Sequence, residues 1–87
     1  LQANMNKISA LRKYETYCYQ VSYYMLEDEE MAVEAVSQAF IHLYQQETFF
    51  SLNEEEQRSY LKHNTIQQSL DIYKKHMLQQ RHNQHVS

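Results

Sequence analysis

The sequence predicts an all-α domain, an antiparallel three-helix bundle, and three observations carry that expectation. There is no Gly and no Pro among the 87 residues, whereas hairpin turns, phosphate-cradling loops and sheet bulges lean on those residues for unusual backbone angles. Ala, Leu, Glu, Gln, Lys and Met, which lose little on entering a helix, are frequent. Apolar residues also recur with helical spacing in segments joined by short connections, a layout that favours antiparallel neighbours. The length leaves room for one domain with one modest core.

The first helix is predicted from Asn6 to Leu26. Leu11, Tyr14, Cys18, Val21 and Met25 form a narrow apolar seam, widened by Ile8, Tyr17 and Tyr24. No glycine ends it; instead Glu27 and Asp28 crowd acids at the negative end of the helix dipole. Asp28 is suited to cap the next helix, with Met31 three positions on. That second helix is predicted from Glu29 to Gln46, with Ala32, Ala35, Val36, Ala39, Phe40, Leu43 and Tyr44 on its inner face.

The connection from Glu47 to Asn53 reads ETFFSLN, and Phe49, Phe50 and Leu52 are expected to tuck back on the core. Ser51 with Glu54, and Asn53 with Glu56, both have capping-box spacing, so a third helix is predicted to start here. Glu54, Glu55 and Glu56 fill its first turn, where the dipole favours acids. It is predicted to run to about Gln80 on an apolar stripe of Tyr60, Ile66, Leu70, Tyr73 and Met77, with Lys74, Lys75 and Arg81 towards its end. The polar tail at 81–87 is expected to fray. Leu1 to Asn4 precede Met5 and are expected to be a tag remnant, leaving 5–80 as the domain.

Composition also narrows function. A net charge of −3 argues against independent tight DNA binding, which draws on a basic excess to displace counterions. The lone Cys18 can make no internal disulfide and is expected as a buried, inert thiol, which with the absence of an apolar span or leader predicts a cytoplasmic protein. His76, His82 and His85 lie close in sequence, but no Cys or well-placed acid completes a ligand set, so neither a metal nor another cofactor is expected. Carboxylates cluster at helix starts, where capping accounts for them, and an enzyme is not expected. The 8 Tyr residues suit half-buried helix surfaces, and Tyr19 and Tyr23 are candidates to meet a partner protein.

The segment Leu26 to Tyr44, LEDEEMAVEAVSQAFIHLY, goes beyond a well-made amphipathic helix. Leu26, Asp28, Glu30, Ala32, Glu34, Val36, Phe40, Ile41 and Tyr44 fall where bacterial RNA polymerase sigma factors of the extracytoplasmic-function type carry like residues in the second helix of region two. The segment Ser59 to Lys75 resembles the third helix of that region through Tyr60, Leu61, Asp71, Ile72, Tyr73, Lys74 and Lys75. LRKYETYCYQVSYYML looks like its first helix, so the resemblance spans about Leu11 to Lys75.

This resemblance implies a transcription initiation module that binds the clamp of the largest polymerase subunit and helps recognise or melt promoter DNA. The clamp-facing positions would be Val33, Glu34, Ser37, Gln38, Ile41 and Tyr44. The DNA-facing positions would be Arg58, Lys62, His63, Asn64, Gln67 and Lys74. Two departures bear on this. Ser37 and Gln38 stand where the family usually has Gln then Glu, which removes a charge-assisted contact. The loop that should cradle an unstacked base reads NEEEQ, whose carboxylates repel phosphate. Polymerase binding is therefore expected to survive better than promoter melting.

Complete family members carry a further helix-turn-helix domain; this chain would be an excised domain or a half-factor working with a separate partner subunit. The rival expectation is a small helical protein-interaction module, binding an anti-sigma protein or a copy of itself, without DNA.

Overall fold

The computed structural model describes the backbone of residues 2–86 and the side chains of residues 7–80; the side chains of the expected tag remnant (1–4) and of the tail (81–87) lie outside the described residues. The fold is all-α. Four α-helices follow one another as α1 (Gln2–Arg12), α2 (Glu15–Leu26), α3 (Glu29–Tyr44) and α4 (Glu54–Val86), with one 3-10 turn, Glu47–Ser51, between α3 and α4. No strand occurs among the described residues, and none of the helices described is long and apolar enough to cross a membrane. The molecule measures 52 × 25 × 18 Å, the long axis matching the ~50 Å of an α4 with 33 residues.

Contacts fix the directions. Glu15, Thr16 and Tyr19 of α2 line a groove with Val33, Ser37 and Phe40 of α3, and Lys75 of α4 reaches back to Glu34 near the start of α3. α2 and α3, and likewise α3 and α4, therefore run antiparallel. α2 and α4 run the same way, with Tyr14 bonded to Gln57 and Ser22 to Ser69.

The expected single first helix is two. The chain turns at Lys13 and Tyr14, where Tyr14 N–H bonds the Leu11 carbonyl at 3.0 Å before α2 resumes. The cause is tertiary: the Tyr14 ring is buried, and its hydroxyl donates to Gln57 Oε1 at 2.9 Å. Holding that ring in the core redirects the helix without Gly or Pro. α1 then packs beside the end of α3, where Lys7 Nζ lies 2.6 Å from a Glu47 carboxylate oxygen and 5.3 Å from each of the Tyr44 and Phe50 ring centres.

The missing glycine after α2 is explained by Glu27, which takes the left-handed conformation itself (φ 53°, ψ 34°) and donates its N–H to the Tyr23 carbonyl. Asp28 then caps α3, accepting from the Met31 N–H at 2.8 Å. A Cβ at such a position costs about 1–2 kcal/mol, less the flexibility that glycine adds to the unfolded chain. Glu27→Gly is accordingly expected to raise stability by about 1 kcal/mol and the melting temperature by ~4–8 °C. A thermal melt showing a lower midpoint would contradict this.

α4 starts where capping predicts. Asn53 Oδ1 accepts from Glu56 N–H at 2.8 Å while Glu56 Oε1 accepts from Asn53 N–H at 3.1 Å, a reciprocal capping box. Its backbone remains helical to Val86, beyond the predicted Gln80.

The rotation of α4 about its own axis departs most from expectation. Leu61, Asn64, Thr65, Ser69 and Ile72 are buried, whereas Tyr60, Leu70, Tyr73 and Met77 of the predicted stripe are exposed and Ile66 is half-buried. Small side chains explain the choice: with Ser22 facing Ser69 the two hydroxyls meet at 2.8 Å, so α2 and α4 approach closely. Tyr73 or Leu70 in that seam would hold them apart. The arrangement has a cost, because the buried Asn64 Oδ1 and Thr65 Oγ1 have no hydrogen-bond partner, each worth about 1–3 kcal/mol.

Candidate protein-docking site

Region α3 keeps its small apolar residues inside. Ala32, Ala35, Val36, Ala39 and Leu43 are buried, so the remaining positions are left to face outwards. Val33 and Ile41 are 55% and 56% exposed, high enough to rule out a packing role as their main one. Ser37 and Gln38 are also exposed. Val33, Ser37 and Ile41 lie four residues apart and share one stripe. Along it runs a groove of about 400 Å³ between α2 and α3, lined by Glu15, Thr16, Tyr19, Val33, Val36, Ser37 and Phe40.

The other three expected clamp-facing residues separate from that stripe. Glu34 is drawn towards α4, with its oxygens 3.2 Å from Lys75 Nζ and 3.8 Å from His76 Nε2. Gln38 follows it one turn later on the same flank. Tyr44 is half-buried beneath the Lys7 ammonium. Of the α2 wall the sequence offered Tyr19 but missed Glu15 and Thr16, which line the groove from the start of α2, just past the turn at Lys13 and Tyr14.

Tyr19 forms the aromatic edge of the groove, stacked on Tyr23 with ring centres 5.9 Å apart and planes 17° from parallel. Partial desolvation, then the Glu29 carboxylate and Tyr23, raise its phenol above the ordinary value, so it stays a neutral donor. The groove thus has a flat aromatic rim, an aliphatic floor, and hydroxyls and the Glu15 carboxylate at its edges, which suits a helix with an apolar face. Among the described residues no three His, Cys, Asp or Glu side chains gather as a metal site; His82 and His85 lie outside those residues.

The six expected DNA-facing residues do not form one surface. Asn64 is buried, because the α4 rotation turns it into the core, and it cannot meet a base there. Arg58 lies 5.6 Å over the Tyr17 ring, on the α2 side. Lys62 lines a groove with Tyr17, Gln20 and Tyr24 on that same side. His63, Gln67 and Lys74 are exposed and, spaced by four and seven, share the flank away from α2. Acids lie close by: Glu54, in the first turn of α4, pairs with Lys13 at 3.4 Å.

Cys18 is buried, as expected. Burial raises its thiol pKa from 9.0, and the neighbouring Thr65 hydroxyl only partly opposes this without making a full hydrogen bond. A raised folded-state pKa means the neutral thiol stabilises the fold fully below about pH 9 and loses that contribution as pH rises through the folded-state value. Unfolding free energies followed upward from pH 9 are therefore expected to decline, and Cys18→Ala to flatten that part of the curve. Ellman's reagent should label native protein far more slowly than unfolded protein. Compared with protein-family models, with curated proteins and with solved structures, the chain matches none.

Proposed function

We propose that this chain is a transcription initiation module, similar to region two of sigma factors, that docks on the clamp of RNA polymerase through the outer face of α3. The observation that carries the reading is the exposed stripe Val33–Ser37–Ile41 beside the α2–α3 groove. It lies on the helix where the family likeness is most extensive, and it supports a protein-binding reading. The clamp offers helices, and a helix laid along this groove would cover both aliphatic side chains at once.

The division of the expected DNA-facing residues favours clamp binding over promoter melting. A strand of single-stranded DNA needs a continuous basic track with stacking rings. Here Arg58 covers a tyrosine of its own chain, Asn64 is inside, and the remaining residues lie on separate flanks.

A titration of the purified clamp coiled-coil fragment with labelled protein tests the reading. Burying one Val or Ile side chain is worth about 1.5–3 kcal/mol. Val33→Asp and Ile41→Asp are therefore each expected to weaken binding by about tenfold or more with the circular dichroism unchanged. Absence of binding by the unaltered chain, or indifference to both substitutions, would refute it. Fork-junction DNA is expected to show no salt-dependent binding in the same assay.

A further inference from the structure

We infer that the opposite face of the molecule, the seam between α2 and α4, binds a second copy of the same chain in an antiparallel, two-fold arrangement. Tyr17, Val21 and Tyr24 from α2 meet Ile66 from α4 along one groove of about 450 Å³, and Tyr73 and Met77 continue the apolar surface towards the α2–α3 turn. Tyr24 is 86% exposed, Tyr73 49% and Leu70 46%. An aromatic so completely out of the core, in a chain that buries Asn64, Thr65 and Ser69 instead, contributes nothing to the monomer's packing. Tyr and Met are enriched at interface centres, and Tyr is among the residues that supply their strongest anchors.

Extent and charge select the occupant. From Lys62 to Met77 the face is ~22 Å long, and two adjacent helices make it ~20 Å wide. The flat footprint of ~440 Å², enlarged by side-chain relief, approaches the ~600 Å² per partner at the lower limit of specific interfaces. The two ends differ in charge. Lys62, with Arg58 over the Tyr17 ring, stands at one end; Glu27, Asp28 and Glu30 outnumber the neighbouring Lys74 at the other, where His76 also lines the surface. A two-fold axis through the middle of the face lays each Lys62 against the acids of the other copy, as an isologous interface requires. A parallel arrangement would set like charges together.

Sedimentation equilibrium over a concentration series tests this with the chain as it is. A reversible monomer–dimer equilibrium is expected, with dissociation in the micromolar range typical of such small interfaces. Tyr24→Glu should weaken it by at least about tenfold while leaving helicity and clamp-fragment binding intact. Lys62→Glu and Glu27→Lys should each weaken it several-fold, and the two together should restore it. A chain that stays monomeric at every concentration overturns the inference. So does a dimer unaffected by Tyr24→Glu, or a combined charge exchange no better than its components. Because clamp binding uses the α3 face, failure here leaves the functional proposal untouched, and the reverse holds too.

Discussion

Phe49→Ala is expected to remove about 3–5 kcal/mol of stability. Phe49 is 1% exposed and among the largest side chains that the fold encloses completely. Its ring meets Phe50 edge-on, with centres 5.1 Å apart, and Tyr60 at 5.9 Å. Its carbonyl accepts from Gln57 Nε2 at 3.2 Å, and the same Gln57 side chain receives the Tyr14 hydroxyl. One residue in a short 3-10 turn therefore ties the end of α3, the start of α4 and the kink before α2. A small domain holds only about 5–15 kcal/mol in total, so the variant should be largely unfolded at modest urea. Urea denaturation followed by circular dichroism reads this directly. A loss below about 1 kcal/mol would mean that the turn packs loosely and the core lies elsewhere.

Ser69→Ala is expected to cost about 1–3 kcal/mol, and Ser22→Ala clearly less. The proton arrangement gives the asymmetry. Ser69 Oγ lies 2.7 Å from the Thr65 carbonyl, which can only accept, so the one Ser69 hydroxyl proton is committed there. The 2.8 Å contact between Ser22 and Ser69 must then be donated by Ser22. Removing Ser69 strands a buried donor; removing Ser22 leaves Ser69 still bonded. The double alanine variant should recover part of the single Ser69→Ala loss, since the Ser22 hydroxyl stranded by that change is then gone as well. Equal costs for the two single variants would overturn the proton assignment.

Capping was the most legible part of the fold. Asp28 bonding Met31, and Asn53 exchanging bonds with Glu56, follow from short-range chemistry that needs no tertiary context. The inner face of α3 was equally plain because Ala32, Ala35, Ala39 and Leu43 have one helical period and little else to do. α4 was misread because its most apolar side is not the side it buries. Ile66, Leu70, Tyr73 and Met77 make a coherent stripe in sequence, yet α4 turns Ser69 and Thr65 inwards, and α2 comes close where Ser22 meets Ser69. Pattern reasoning ranks faces by hydrophobicity, whereas packing ranks them by shape where two helices come close. The same rotation buries Asn64, whereas the unambiguous α3 pattern leaves Val33 and Ile41 on the outer side of that helix.

The Lys7 ammonium, gripped by one carboxylate and two rings, makes the leading helix behave as a clasp. Beside the buried Leu11 it is, among the described residues, the polar tie between that helix and the body. Neutralising it, by acetylation for instance, would let the first segment come away as a unit while the Cys18–Phe49–Leu61 centre stays shut. Amide hydrogens before Tyr14 should then exchange with deuterium well ahead of those in the rest of the chain.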